Sequence, residues 1–412
     1  MCRFVAACAV ASTMTTSVVA QVQSAEVRAT GEAMAVSAIE YLRTQQDTDT
    51  GGWAVNPRGP DLPAITGLVV TGMVLDPRVT PADPAIARAV DYMLSFRQPD
   101  GGIYDAILPS YNTAICLSAL ARVLVDSEDF ASAAQARAAI APAQRMLGRL
   151  QWSEDALAGD EVAGDTTGRV TREHPFYGGI GYGGSGRPDN SNLNLMLQAL
   201  HDSGVPATDP AYQRALVFLE RTQMVDEIND MPYADGSSQG GFIYATSPNG
   251  DEIGVGESKA GEIEETLSDG TTASRLRSYG SMTYAGFKSY LYAELDRDDP
   301  RVIAAYAWLQ DNYTMAENPG IGTDGLYYYY ITLARALSAW GEPMIAVSGE
   351  PNDWAADLIE QLATLQNGDG SFRSVDDRWM EDNPVLITAY SLIALQHALH
   401  GAPEPLTNGD TP

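Results

Sequence analysis

Residues 97–105, RQPDGGIYD, end an apolar-striped segment on Gln98, turn through Asp100, Gly101 and Gly102, and leave on the aromatic Tyr104. Close copies occur at 45–53, QQDTDTGGW, and at 365–372, LQNGDGSF. The parts suit a helix end. Glycine reaches positive φ and allows close backbone approach, Asp hydrogen-bonds the turn backbone, and the aromatic can pack back on its own unit. The copies therefore read as fasteners of a repeated unit rather than as chemistry.

Outward from each turn lie two kinds of helix. The segment 84–98, PAIARAVDYMLSFRQ, puts Ile86, Val90, Met93 and Leu94 on one stripe and Arg88, Asp91 and Ser95 off it, the pattern of a helix with one wet face. The segment 111–125, YNTAICLSALARVLV, has almost no polar stripe, as expected of a helix buried on several sides. The pairing recurs six times. Wet-faced helices start near Glu32, Pro84, Ala134, Asp209, Pro300 and Asn352, and apolar partners near Pro63, Tyr111, Asn190, Tyr279, Gly325 and Pro384. Units repeating at about 50 residues, none able to bury its own faces, stack on their neighbours. The chain is expected to be all-α, with an outer ring of helices around an inner ring. Closure is expected because an open array would expose the inner helices.

Of the 412 residues, 45% are hydrophobic and 19% charged, enough to bury a large core, and the formal charge is −29. Such a field repels polyanions, so nucleic acid and anionic lipid surfaces are poor partners. Residues 1–20 carry Arg3, a short apolar run and a Val18-Val19-Ala20 end, read as a secretory signal that places the mature chain in the periplasm or outside the cell. No later run reaches the length of a membrane span. Cys2 and Cys8 fall in that signal and leave Cys116 alone, so no intramolecular disulfide is expected and Cys116 reads as a buried structural thiol. The expected division is a signal over 1–20, one helical domain over 26–400 and a disordered tail over 401–412.

Two connections exceed the repeat: 153–189 and 225–278, both joining an outer helix to its inner partner. Long loops of this kind usually carry function. Both belong at the end of the barrel where the inner helices begin, and the functional site is expected there.

The turn motif resembles the glutamine- and aromatic-bearing repeat of squalene and terpenoid cyclases and of protein prenyltransferase β subunits, with one residue missing at Gln98–Tyr104. The resemblance spans Glu32 to Leu399, and residues 279–337 are similar to secreted bacterial prenyltransferase/squalene-oxidase repeat proteins. It implies an α/α toroid of six helical hairpins holding a hydrophobic, isoprenoid-type ligand or a peptide in a central cavity, with no cofactor. The catalytic motifs of those families do not carry over. Asp296-Arg297-Asp298-Asp299 matches the cyclase Asp-x-Asp-Asp letters, but Asp299-Pro300 reads as the N-cap and first position of an outer helix. The last inner helix, NPVLITAYSLIAL, lacks the Cys or His of the prenyltransferase zinc site, and no metal is expected. The Cys-Gly-Glu-Gln element of complement-type thioester domains is absent.

The residues that open the inner helices are then the candidate ligand contacts: Tyr111, Asn112, Asp189, Asn190, Tyr279, Tyr284, Tyr327 and Tyr328. An aromatic pocket with a polar rim is the usual form of a small-molecule site. Four consecutive tyrosines, 327–330, cover most of a helix circumference, so one faces the lumen and another the outer ring. Candidate acids and bases are His174 on the first long connection and the cluster Asp376, Asp377, Glu381 and Asp382, since crowded carboxylates raise one another's pKa. Three functional classes stay open: an isoprenoid-handling enzyme, a non-catalytic binding protein, and a glycan-active enzyme using paired carboxylates. Binding ranks slightly above catalysis because both catalytic motifs fail.

Overall fold

The structure is a computed structural model that describes residues 24–54, 58–126, 130–155, 169–183, 187–267 and 269–407; the proposed signal at 1–20 and the last five residues of the proposed tail lie outside them. Six pairs of helices follow one another: α1 (Ala25–Thr44) and α2 (Pro63–Val74), α3 (Pro84–Ser95) and α4 (Pro109–Asp126), α5 (Ala133–Leu150) and α6 (Asn190–Asp202), α7 (Pro210–Thr222) and α8 (Gly280–Tyr292), α9 (Pro300–Asp311) and α10 (Leu326–Trp340), α11 (Trp354–Leu365) and α12 (Pro384–His400). The even-numbered helices form the inner ring. Each packs on the next, and α12 packs on α2, so the ring is closed. Every residue of α2 is buried, whereas α3 buries only Ala85, Ile86, Ala89, Val90, Tyr92 and Met93. The two classes of hydrophobic pattern correspond to the two rings.

Four of the outer helices pack on an inner helix other than their partner in sequence, whereas α11 packs chiefly on its own partner α12. Helix α3 lies on the preceding inner helix α2, α5 on α4 and α9 on α8, while α1 lies on α12 at the other end of the chain. At α2–α3, α4–α5 and α8–α9 the inner-to-outer connection makes a true hairpin, and the turn-bearing connection steps on to the next inner helix.

The turns fasten this arrangement. Gln46 Nε2 donates to the Gly51 carbonyl of its own turn and to the Ala85 carbonyl in the first turn of α3, both at 2.8 Å. Gln366 Nε2 does the same to Gly370 at 3.2 Å and to Met34 of α1 at 3.0 Å, a junction spanning 332 residues. Two further copies were hidden from the sequence. Gln151 Nε2 donates to Gly178 and Ala211, and Gln223 Nε2 to Gly240 and Arg301. Each long connection has been inserted between a glutamine and its glycine. The residue that follows the turn brings another partner: the backbone N–H groups of Trp53, Ile103, Phe242 and Phe372 donate to the hydroxyls of Thr66, Thr113, Thr283 and Thr388, one near the start of each of four inner helices.

Two small antiparallel hairpins decorate the toroid: β1 (Glu262–Thr266) with β2 (Thr272–Leu276), inside the second long connection, and β3 (Met344–Val347) with β4 (Glu350–Asp353), between α10 and α11. The start of the proposed disordered tail is instead packed. Leu406 is buried, its N–H donates to the Asp202 carbonyl at 2.8 Å, and Arg122 Nη1 donates to the Glu404 carbonyl at 3.0 Å. An apolar side chain and two carbonyl contacts hold residues 401–407 that composition alone reads as a free end. No described helix is long and apolar enough to cross a membrane.

Candidate functional site

At the end of the barrel where the inner helices begin, the lumen opens into a cavity of about 100 Å³. Inner helices supply Tyr111, Ser191, Ser281, Met282, Tyr328 and Tyr390. The two long connections add Tyr182 and Tyr244, Tyr279 caps α8, and the loop before α12 brings Trp379 and Glu381. The tyrosines brace one another. The rings of Tyr111 and Tyr182 stack at 6.0 Å, Tyr111 and Tyr390 hydroxyls lie 3.4 Å apart, and the Tyr328 hydroxyl meets Ser191 Oγ at 3.1 Å and Asn194 Nδ2 at 3.4 Å. Lys259 and Arg187 lie over the Tyr244 ring at 4.6 and 5.1 Å, and Glu257 joins both cations. A cation over an aromatic face is attracted by the ring quadrupole, which here fixes the wall of the cavity.

Glu381 is the carboxyl of this site. It is only 1% exposed, and its two oxygens accept the Tyr327 and Tyr328 backbone N–H groups at 3.1 and 2.8 Å. Those donors are orphans of the first turn of α10, where the helix dipole favours an anion. Burial outweighs them and pushes the carboxyl up to about 7, with Asp376 adding to the rise. The residues that turn Glu381 inward, Trp379 and Met380, sit at φ 55° and 68°, left-handed conformations that side chains larger than Gly rarely adopt. Both are exposed, at 46% and 44%. Strained, exposed apolar residues at a cavity rim cost stability and are retained in natural proteins chiefly at functional sites.

The structure sorts the residues singled out in the sequence. Tyr111, Tyr279 and Tyr328 line the cavity. The other tyrosines turn away: the Tyr327 hydroxyl donates to the Arg373 carbonyl, Tyr329 and Tyr330 donate to the carbonyls of Thr314 and Met315, and Tyr284 packs edge-on to Tyr329. Asn112 and Asn190 are structural. Asn112 Oδ1 accepts the Ala64 N–H and its amide donates to Ile107 and Leu108, while Asn190 donates to the Ile243 carbonyl. Asp189 caps α6 by accepting the Asn192 N–H at 2.9 Å, hydrogen-bonds Tyr244, and stands outside the cavity lining; burial raises its carboxyl to about 6.

Of the candidate acid-base groups, His174 stacks on Trp152 at 5.8 Å and accepts the Phe176 N–H through Nδ1, away from the cavity lining. Burial and the Arg221 charge lower its pKa, as in a packed loop histidine. Asp377 and Asp382 face solvent, and Asp376 accepts the Arg378 N–H. Only Glu381 of that acidic group reaches the cavity, because the left-handed turn at Trp379 and Met380 directs it inward. Asp299 caps α9, accepting the Arg301 N–H at 2.9 Å, and is no lumen acid. Replacing it with Ala is expected to cost about 1 kcal/mol, the usual loss of an N-cap, and to leave any ligand affinity unchanged; urea melts and binding curves of Asp299→Ala would check both halves. Burial raises the Cys116 thiol far above its ordinary range, in keeping with a structural cysteine.

Tyr182, Tyr244 and Tyr390 escaped the sequence reading. Tyr390 sits in the second turn of α12 with nothing in its neighbours to mark it. Tyr182 and Tyr244 each follow a Gly-rich turn displaced by a long connection, and recognising Gln151 and Gln223 as turn glutamines would have found them. Further down, the lumen is polar rather than oily: Lys288 Nζ donates to Gln198 Oε1 at 2.5 Å, and Gln198 Nε2 donates to Asp202 at 2.8 Å.

No protein-family model and no curated protein matches the chain. Solved structures do match. The GH76A α-1,6-mannanase of Salegentibacter sp. HEL1_6 has a TM-score of 0.54 at 11% identity, over 90% of this chain and 98% of that one. An unsaturated glucuronyl hydrolase specific for heparin has a TM-score of 0.50 at 11% identity, over 90% and 97%. A type II terpene cyclase from Scytonema has a TM-score of 0.49 at 16% identity, over 90% and 98%. Together with the closed double ring of helices, the likeness to the first two makes this chain an α/α toroid.

Proposed function

We propose that this toroid is a binding protein that takes one sugar ring of a neutral glycan into the tyrosine-lined mouth. The observation that carries the reading is the cavity itself: about 100 Å³, walled by six tyrosines and overhung by the exposed Trp379. Hydroxyl-bearing aromatic rings offer both a stacking face and a hydrogen-bond partner, the combination a pyranose requires. The isoprenoid reading from the sequence fits this geometry less well. Even a drug-sized ligand takes a pocket of about 300–1,000 Å³, and below the mouth the lumen carries buried Lys288, Gln198 and Arg335. A net charge of −29 favours a neutral glycan over an acidic one.

Hydrolysis would need a second carboxylate about 5–10 Å across the scissile bond. Among the described residues Glu381 is the carboxylate that lines the cavity, and Asp189 stands outside the lining. Both toroids with the higher TM-scores are named for action on glycans, a precedent for what the fold can hold and no more than that. The reading includes export by residues 1–20, after which the mature chain would begin near Gln21.

Calorimetric titration with a panel of neutral trisaccharides tests the proposal. At least one is expected to bind, with affinity reduced about tenfold or more in Tyr328→Ala and in Trp379→Ala, each of which removes a stacking face. A panel that gives no heat, together with a polyprenyl species co-purifying with the wild type and absent from a Tyr279→Ala, Tyr328→Ala double variant, would return the site to the isoprenoid reading.

A further inference from the structure

At the end of the barrel away from the tyrosines, a groove of about 680 Å³ opens between the C-terminal ends of α2, α4 and α12. Its walls are aliphatic: Val74 ends α2, Val79 and Pro81 lie on the connection to α3, and Val125 is near the end of α4. The volume is that of a small-molecule site, which is mostly apolar with a few placed polar groups. Two such groups form the floor, Asp76 just after α2 and Gln396 on α12, each lining the groove while only 1% exposed.

Asp76 is fully engaged. Arg78 Nε donates to its Oδ1 at 2.7 Å and Arg78 Nη2 to its Oδ2 at 2.5 Å, and Gln396 Nε2 donates to Oδ2 at 3.2 Å. That last bond fixes the Gln396 amide, because the flipped amide would set its oxygen against a carboxylate. Gln396 Oε1 is then left buried with no hydrogen-bond partner. Gln396 lines the groove and not the small void deeper in the lumen, so the groove is the open side of this acceptor. A buried acceptor without a donor is costly and rare in folded proteins, and what it lacks is an N–H or O–H. The charges around it favour a neutral one. Arg78 neutralises Asp76, Arg122 Nη1 donates to the Glu404 carbonyl, the Glu404 side chain is exposed, and burial lowers the His400 pKa so that its ring is uncharged at neutral pH. A carboxylate head could not donate to Gln396 and would face Asp76, while an ammonium would lose its water beside the Arg78 and Arg122 cations.

We propose that this groove binds a neutral aliphatic alcohol, whose hydroxyl donates to Gln396 Oε1 and whose chain lies against the valine and proline walls. The site is separate from the tyrosine-lined mouth and does not rest on a glycan binding there.

Calorimetric titration of the full chain with 1-octanol, octyl methyl ether and octanoate tests the assignment on the wild type alone. The ether keeps the chain and lacks the donor. Octanol is expected to bind saturably at one site, with the ether and octanoate each about tenfold or more weaker, the difference one hydrogen bond makes. Gln396→Met, which keeps the length and removes the acceptor, should bring octanol down to the level of the ether. Val125→Glu, on a partly exposed wall with the floor intact, should weaken octanol and the ether together. Equal affinities of octanol and the ether for the wild type would mean that water meets Gln396 and the groove is only greasy, which overturns the proposal. So would the absence of saturable octanol binding, or octanoate binding more tightly than octanol, which would put the head group on Arg122 instead.

Discussion

Gly370→Ala is expected to cost the toroid about 4 kcal/mol of stability, at the upper end of single substitutions. Gly370 sits at φ 91°, and a Cβ built there would lie 2.1 Å from the Ser37 carbonyl oxygen and 2.5 Å from the Ser37 carbonyl carbon. The obstacle is backbone of α1, which cannot rotate aside as a side chain would, so either the turn or the helix must move. The same junction carries the Gln366 hydrogen bonds to Gly370 and Met34 that join the last turn to the first helix. Separating these surfaces therefore strains the seam that closes the outer ring. Positive φ adds about 1 kcal/mol or more for a residue with a Cβ. Gly368, two residues earlier in the same turn, has nothing within 4 Å of its built Cβ. Gly368→Ala should stay within about 0.5 kcal/mol of wild type. Denaturant melts of both variants check the pair, and equal stabilities would show that close approach at the seam is not what the turn glycine provides.

The second large effect is a dependence on pH that Glu381→Gln should abolish. The folded-state carboxyl is pushed up to about 7 from an ordinary value of 4.5. Between those values the folded chain holds a proton that the unfolded chain has released, so stability from this group is greatest below pH 4.5 and falls as the pH climbs through 7. The loss amounts to about 3 kcal/mol across the window. Asp189, raised by burial from 3.8 to about 6, bends the curve the same way over a lower range. Carboxylates held low by partners, such as Asp83 beside Arg43 and Asp299 beside Arg301, act in the opposite sense. The informative quantity is thus the difference between wild type and Glu381→Gln, measured by urea melts across the window. The variant should gain on the wild type as the pH rises, and parallel curves would mean that Glu381 is hydrated and unshifted. If Glu381 also contacts the proposed sugar, ligand affinity should change through the same pH window.

The amino-acid sequence by itself determined the class of the fold and most of its parts. The wet-faced and apolar helices start within two residues of the predicted positions in nearly every case, since periodicity reports how many faces of a helix are buried. The first helix is the exception, beginning at Ala25 rather than near Glu32, because its first turn carries little apolar pattern. The Asp-Gly-Gly turns were legible as fasteners because Gly and Asp have few other reasons to occur together at a helix end. The end of the barrel holding the mouth was legible too, from the direction of the long connections.

What only the tertiary structure decided is which side chains meet. Tyr327 and Tyr328 are adjacent and chemically identical, yet one hydroxyl meets the Arg373 carbonyl and the other the cavity. Asp376, Asp377, Glu381 and Asp382 form one acidic run, and only Glu381 is turned inward. Arg335 gives no sign in sequence of being buried with an unpartnered Nε. The reason is common to all three. Periodicity is a property of one element and survives in the order of residues, whereas a site is made where several elements converge, and its geometry depends on rotations of a few tens of degrees that no local pattern encodes.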